Sequence, residues 1–111
     1  MDDDLLALVT VALADEGGEP GHGYRVAARG EVDVRTAPEL ARALDALIDQ
    51  GARLIVLDAS DVEFLDSSGL RVIVATGIRL SNGGGRLLIE GMSGAVQRVL
   101  EVSGLIEQYR A

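Results

Sequence analysis

Residues 54–73 have the sequence LIVLDASDVEFLDSSGLRVI, and the fold of the chain is predicted outward from this stretch. Residues 54–57 form an apolar run that is typical of a strand buried on both faces, as in a parallel sheet. The polar segment 58–63 is then predicted to leave the sheet, and residues 64–65 to turn the chain back toward the core. Because apolar residues recur at helical spacing from Leu70 onward, the stretch predicts a strand, a loop and a helix.

The segment Asp66-Ser67-Ser68-Gly69 stands at the predicted start of this helix. Aspartate and serine are preferred N-cap residues because their side-chain oxygens accept the free amide hydrogens of the first turn. On spacing alone, both serines are therefore ordinary cap residues. The amide groups and the dipole at a helix start also favour negative charge, so an anion attached covalently to either hydroxyl would lie in a suitable field.

The remaining pattern predicts an α/β domain in which strands and helices alternate. Strands are predicted at residues 5–13, 24–29, 53–58, 86–90 and 105–109. Helices are predicted at residues 36–49, 67–81 and 93–102. The segment 5–13 also admits a helix on periodicity alone. Alternation of strand and helix implies parallel pairing with right-handed crossovers, and the first two strands are expected to add an antiparallel pair.

The expected architecture is a mixed, mostly parallel β-sheet with an N-terminal antiparallel pair and helices packed mainly on one face. The strand at 53–58 is expected at its centre, and the first two helices are expected side by side because each has a single apolar stripe. Thr36 and Glu39 form a capping-box pattern at the start of the first helix, and Gly51 is predicted to end it.

Length and composition bound the class of protein. The 111 residues predict a single domain, 1–111, with residues 14–23 as a flexible glycine-rich connection. Hydrophobic residues make up 48% of the chain but aromatic residues only 3%, so the core must be built from aliphatic side chains. The absence of cysteine excludes disulfides and thiolate metal sites. A net charge of −8 argues against nucleic acid and anionic membranes as partners and favours a partner with a basic face.

The N-terminus is unlike a targeting segment. It carries Asp2, Asp3 and Asp4, whereas a signal peptide begins with a basic region. The apolar segment 5–13 that follows is too short to span a bilayer. These features predict a soluble, cytoplasmic protein.

Enzymatic and metal-binding alternatives lack the residues that they require. A serine nucleophile needs a base, and the only histidine, His22, lies in the glycine-rich connection. The glycine run 83–85 has no lysine beside it and precedes no helix, so it is interpreted as a helix stop rather than a phosphate-binding loop. A metal site could be considered at four nearby carboxylates, but their spacing matches no calcium-binding loop. They are Asp58, Asp61, Glu63 and Asp66. We therefore expect no enzyme, no catalytic residue, no cofactor and no metal.

Four segments, in the correct order, resemble the STAS-domain anti-sigma factor antagonists, also called anti-anti-sigma factors. The segment 65–70, LDSSGL, follows an Ile-Val-Leu-Asp strand and is similar to the phosphorylation motif of that family. The other three segments are GEVD at 30–33, GRLLI at 85–89 and VQRVLEVSGL at 96–105. The resemblance extends over residues 24–109.

The resemblance implies a switch at Ser67, the first serine after the aspartate. In this family that serine is phosphorylated by a partner that is both an anti-sigma factor and a serine kinase of the histidine-kinase-like ATPase type. The unphosphorylated form would bind this partner and release the sigma factor, and a Ser/Thr phosphatase would reset the phosphorylated form. By position, the docking surface would include Asp33, Asp66, Ser68 and Gly69, with Ser68 also capping the helix.

The sequence departs from the family pattern in two places. The family commonly has a further C-terminal helix, whereas this chain stops at Ala111, and the connection 14–23 is longer than the usual hairpin. An alternative function is a structural STAS subunit of a lipid-transport or stress-signalling assembly, in which phosphorylation has no part. Retention of Asp66-Ser67-Ser68-Gly69 favours the switch, because a structural module needs only some cap at this point.

Overall fold

The fold is taken from a computed structural model that describes residues 6–14 and 20–111. Its strands are β1 (Ala7–Ala14), β2 (Pro20–Val32), β3 (Leu54–Leu65) and β4 (Arg86–Glu90). Its helices are α1 (Ala37–Asp49), α2 (Ser67–Asn82), α3 (Gly94–Ser103) and α4 (Ile106–Tyr109). The strands form one sheet in the order β1-β2-β3-β4, in which β1 and β2 are antiparallel and the other pairs parallel. The predicted mixed sheet, with an antiparallel pair at its start and β3 as an internal strand, is confirmed.

The two faces of this sheet have different surroundings. On one face, Val26, Leu57 and Ile89 are neighbours in register and belong to the buried core. The helices add to this core the residues Leu40, Leu44 and Leu47 of α1 and Ile73 and Leu80 of α2. On the opposite face, Val56 and Leu88 are neighbours in register and lie outside that core. The helices therefore pack mainly on one face, as predicted.

Strand β3 is longer than predicted, and the expected loop at 58–63 is wrong. The strand continues to Leu65 because two register shifts against β2 accommodate the polar residues on its outer side. Asp61, for example, faces Arg29 across the sheet at 3.8 Å, while Val62 remains buried. Phe64 was expected to turn toward the core, but it is 47% exposed, and only Leu65 turns inward.

The start of α1 also differs from the predicted capping box. Thr36 occupies the N-cap position, yet its side chain makes no cap hydrogen bond. Instead, its buried hydroxyl donates to the carbonyl of Glu31 (2.6 Å) and accepts from the amide of Asp33 (3.0 Å). Thr36 therefore fastens α1 to the end of β2. The predicted end of α1 is confirmed, since Gly51 follows the helix with a left-handed φ of 100°.

The segment 105–109 is helical rather than the short strand predicted. Its residues form α4, and the only trace of strand pairing near it is an isolated bridge between Ile89 and Arg110 among the residues described. A helical turn buries Tyr109, whose ring lies against Gly77 of α2. The burial of this one large ring explains why a short apolar segment folds as a turn here.

Most of the other predicted boundaries are close to those observed, but β2 was predicted to end at Arg29 and continues to Val32. Strand β4 has its predicted limits, α2 ends one residue later than expected, and α3 begins after the cap Ser93 and ends before Gly104, which has φ 77°. The connection predicted over 14–23 is too long, because Pro20 already pairs with Ala14 and begins β2. Residues 15–19 of that connection and residue 5 of the first predicted strand lie outside the described residues. Over residues 6–14 and 20–111, none of the helices combines the length and hydrophobicity needed to cross a membrane.

Candidate functional site

Asp66 caps the start of α2. Its backbone is extended (φ −107°, ψ −170°), and its Oδ1 accepts hydrogen bonds from the amides of Ser68 (2.8 Å) and Gly69 (3.3 Å). The prediction that Ser68 caps the helix is therefore wrong, because the aspartate before the two serines takes that role. As a result, neither serine hydroxyl is used to complete the helix, and neither has a hydrogen-bond partner in the part of the chain that the structure describes.

Two contacts hold the start of α2 beside the end of β2. The amide of Asp66 donates a hydrogen bond to the carbonyl of Val32 (3.2 Å), the residue directly before Asp33. Gly69 is buried, and a Cβ added to it would lie 2.7 Å from Cγ1 of Val32. The structure thus brings Asp33 and Asp66 to neighbouring loops. Gly69 contributes to the site by allowing this close approach rather than by exposing a side chain.

Ser67 and Ser68 lie on different sides of α2. Ser67 is exposed and lines a groove between α2 and α3, called here the α2–α3 groove. Ser68 is half-buried and lines a second groove between α1 and α2, called here the α1–α2 groove. An attached phosphate would therefore enter a different environment on each serine.

The α2–α3 groove is open and mostly apolar, with a volume of ≈350 Å³. Leu70 forms one wall, and Val99 and Val102 form the other. Val102 is 84% exposed, which is unusual for a large aliphatic side chain. The polar lining residues include Ser67 and Arg98.

The α1–α2 groove has a similar volume, ≈350 Å³, and is also mostly apolar. Its lining includes Pro38 of α1, Val72 of α2 and Val34 of the loop before α1. Val34 is 71% exposed. Ser68 and Arg71 are among its polar lining residues. Two apolar grooves thus flank the start of α2, and each is lined by one of the two adjacent serines and by one arginine.

Asp33 is engaged in the loop that leads into α1. Its Oδ1 accepts hydrogen bonds from the amides of Arg35 (2.9 Å) and Thr36 (3.2 Å), and its Oδ2 accepts one from the Arg35 guanidinium (3.0 Å). The Arg35 side-chain hydrogen bond is the largest cause that holds the pKa of Asp33 below the ordinary aspartate value. Burial opposes it, and the hydrogen bonds from the two amides lower the pKa further. Asp33 therefore orders the loop in addition to any part that it has in docking.

The other acidic residues considered from the sequence do not join this site. Asp61 pairs with Arg29, and Asp58 accepts hydrogen bonds from the hydroxyl and amide of Ser60. These two hydrogen bonds are the main causes that lower the pKa of Asp58. No group of three His, Asp or Glu side chains within residues 6–14 and 20–111 converges as a metal site would require.

Several residues that shape the site were not predicted from the sequence, above all Arg98, Val102 and Val34. The exposure of Val102 and Val34 is seen only in the structure, where they are 84% and 71% exposed. Arg98 carried no signal in the sequence either. Only the packing of α3 beside the start of α2 places it in one groove with Ser67.

Comparisons with known proteins show which family the chain resembles. The family model described as "Mlab, STAS domain" matches residues 18–107. An anti-sigma-B factor antagonist of Staphylococcus aureus is 37% identical over 82 residues, which cover 74% of this chain and 76% of the relative. One from Bacillus subtilis is 40% identical over 76 residues, covering 68% and 69%. The crystal structure of an anti-sigma factor antagonist from Mycobacterium paratuberculosis superposes with a TM-score of 0.71 at 29% identity, over 93% of this chain and 83% of that one.

The match to the family model spans most of the chain and includes both grooves and the two serines. The two sequence relatives are named anti-sigma-B factor antagonists. The superposed structure is named an anti-sigma factor antagonist, and the shared fold covers most of that chain. The chain therefore belongs to the STAS-domain family of anti-sigma factor antagonists.

Proposed function

We propose that this chain is an anti-sigma factor antagonist whose binding to an anti-sigma factor is switched off by phosphorylation of Ser67. The observation that carries the proposal is the exposed Ser67 hydroxyl, left free by the Asp66 cap at the start of α2. The unmodified form binds the anti-sigma factor and so releases the sigma factor in the cytoplasm. Asp33, Asp66 and Ser68 belong to the surface that the partner contacts, and Gly69 supports it from beneath.

The proposed modification is a phosphoryl transfer from ATP that is bound by the partner, an anti-sigma factor and serine kinase of the histidine-kinase-like ATPase type. The Oγ of Ser67 forms a bond to the γ-phosphorus, the bond between that phosphorus and the leaving oxygen of ADP breaks, and the hydroxyl proton passes to a base of the kinase. This domain contributes only the hydroxyl and its position. A Ser/Thr phosphatase hydrolyses the phosphoester and restores the binding form.

The charge of the phosphate gives the switch its physical basis. Phosphoserine adds about −1.5 to −2 charges at pH 7, beside Asp66 and near the loop of Asp33. The added charge and bulk lie at the middle of the proposed docking surface, where small changes dominate affinity. A helix start accommodates negative charge, so α2 has no need to refold when Ser67 is modified.

The test is incubation with candidate anti-sigma kinases and ATP, followed by intact mass measurement and mapping of the phosphopeptide. We expect one added phosphate on Ser67, its loss in Ser67→Ala, and its retention in the matched control Ser68→Ala. The unmodified protein should bind the kinase, and the modified protein should bind it much more weakly. Modification of Ser68 alone, or of a residue outside the segment 66–69, would reject the assignment.

A second candidate function is that of a structural STAS subunit in a larger assembly, for instance in lipid transport or stress signalling. The observation that favours it is the sheet face opposite the helices, where Val9 and Val11 of β1 are each about half exposed. Measurement of partner binding by two variants distinguishes the two functions. A structural subunit would keep its partner when Ser67 is replaced by aspartate, and it would lose that partner when Val9 and Val11 are both replaced by serine.

A further inference from the structure

We propose that Arg98 of α3 binds the phosphate of phosphorylated Ser67 and in doing so closes the α2–α3 groove. The inference rests on the proposed modification of Ser67 and adds how the phosphate changes the surface of the domain itself. Arg98 is thus a positioning residue. It would affect partner binding indirectly, by holding the phosphate and by changing the shape of the groove.

Shared location is the first argument. Ser67 lies at the start of α2 and Arg98 lies on α3, and both side chains line the α2–α3 groove. Both residues therefore face the same open groove, and the long arginine side chain would have to cross this groove to reach the hydroxyl of Ser67.

The state of the Arg98 side chain is the second argument. Several arginines of this acidic chain are held by carboxylates: Arg25 by Glu90, Arg79 by Asp45 and Asp49, and Arg110 by Glu107. Arg98 is exposed and has no carboxylate within ion-pair distance among the described residues. Its guanidinium is therefore available without breaking an existing pair, and a guanidinium binds a phosphate with two parallel hydrogen bonds.

The composition of the groove is the third argument. Its carboxylate, Asp66, is occupied as the cap of α2, and its walls are the apolar side chains of Leu70, Val99 and Val102. Among the described lining residues, Arg98 is the one cation, so it is the compensating charge that this groove offers to a dianion on Ser67.

Arg71 is the competitor that a test must exclude. It lies four residues after Ser67 on α2, a spacing at which helical side chains are neighbours. In the structure, however, Arg71 lines the α1–α2 groove together with Ser68. Each serine thus lines a groove with a different arginine, Ser67 with Arg98 and Ser68 with Arg71.

Pairing of Arg98 with the phosphate has a consequence for the partner. It ties α3 to the start of α2 and places the arginine stem over the apolar walls that Val99 and Val102 present. Phosphorylation would then remove apolar docking area as well as add charge. Removing Arg98 should leave the repulsive charge in place but reopen the groove.

The experiment uses the full chain with phosphoserine inserted at position 67 during translation, so that no kinase is needed. The second pKa of the phosphate, which is about 6 for free phosphoserine, is measured by phosphorus NMR as a function of pH. A neighbouring guanidinium stabilises the dianion and lowers this pKa. We expect Arg98→Gln to raise it by about half a pH unit and Arg98→Lys to raise it by less.

Two controls make the result specific. Arg86 is an exposed arginine that pairs in register with Leu54, at the opposite end of β3 from α2, so Arg86→Gln should leave the phosphate pKa unchanged. Arg71→Gln tests the competitor and should change the pKa much less than Arg98→Gln. Circular dichroism of each variant verifies that the domain is folded.

The outcomes separate this inference from the proposed function. No rise of the pKa in folded Arg98→Gln, or an equal or larger rise in Arg71→Gln, overturns the part assigned to Arg98 and leaves the switch intact. If Arg98→Gln raises the phosphate pKa as expected but no anti-sigma kinase modifies Ser67, the proposed switch is overturned instead.

Discussion

Gly69 of α2 lies directly against Val32 of β2, so close that a Cβ on Gly69 would come within 2.7 Å of Cγ1 of Val32. This contact fixes the start of α2 against the sheet. We predict that Gly69→Ala lowers the stability of the domain by about 1–3 kcal/mol, because the added methyl group forces the helix away from the strand. For a domain of this size, each 1 kcal/mol corresponds to a fall in Tm of about 4–8 °C.

A matched control for this substitution is Gly94→Ala. Gly94 is the first residue of α3, and a Cβ on it would meet no atom within 4 Å. Alanine there should leave Tm unchanged or raise it slightly, because it restricts the unfolded chain. Equal Tm values for the two variants in differential scanning calorimetry would contradict the packing described for Gly69.

Asp66 is predicted to stabilise α2 as a hydrogen-bond acceptor rather than by its charge. Asparagine is about as good an N-cap as aspartate, so Asp66→Asn should unfold at nearly the same urea concentration as the parent. Asp66→Ala leaves the amides of Ser68 and Gly69 without their acceptor and should cost about 1 kcal/mol. A large loss of stability in Asp66→Asn would show that the charge, and not the hydrogen bond, is what the helix requires.

Tyr109 is predicted to make the stability of the domain depend on alkaline pH. Burial raises the pKa of its phenol above the ordinary value of 10.0. The neutral phenol is therefore favoured in the folded state. Its contribution is fully present below the unfolded-state pKa and is lost as pH rises through the raised folded-state pKa.

The measurement is Tm between pH 8 and 11 for the parent and Tyr109→Phe, which keeps the ring but cannot ionise. The parent should lose more stability than the variant above about pH 10. Few other side chains titrate in this pH range, because the chain has no lysine and only one other tyrosine, Tyr24. If Tm falls with pH in the same way for the two proteins, Tyr109 is accessible to water in the folded state.

Ser67→Asp is predicted to weaken binding to the anti-sigma partner, and Ser67→Ala is predicted to bind but to resist the switch. Aspartate carries one charge where phosphoserine carries nearly two, so the loss should be partial, about 2 kcal/mol or roughly thirtyfold in Kd. Stability should change by no more than about 0.3–1 kcal/mol, because negative charge is tolerated at a helix start. Titration calorimetry and thermal melts measure both effects. An aspartate variant that binds as tightly as the parent would contradict the switch.

The sequence was sufficient to predict the elements whose signals are local. The start of α2 follows from its cap residues, the end of α1 from Gly51, and β4 from its apolar run between glycines. In each case the decisive contact is made within a few residues along the chain. Local chemistry therefore predicted most of the helices and the position of the serines.

The errors concern structure that depends on distant residues. Residues 58–63 look like a loop because they are polar, but their pairing with β2 keeps them in the sheet, and a register shift leaves Phe64 outside. The helical turn at 106–109 depends on the space above Gly77 that receives Tyr109. Arg98 could not be assigned to the site for the same reason, since its neighbour Ser67 is brought near only by packing.

The two adjacent serines of α2 differ in direction by about 100°, the rotation that a helix makes with each residue. They are chemically identical, yet one opens toward α3 and the other toward α1. A modifying enzyme that approaches along one groove can therefore reach one hydroxyl and miss the other without reading any difference in their chemistry. The position of a serine along α2 therefore decides which groove its hydroxyl faces. If the motif were shifted by one residue along the helix, the same hydroxyl would face the other groove.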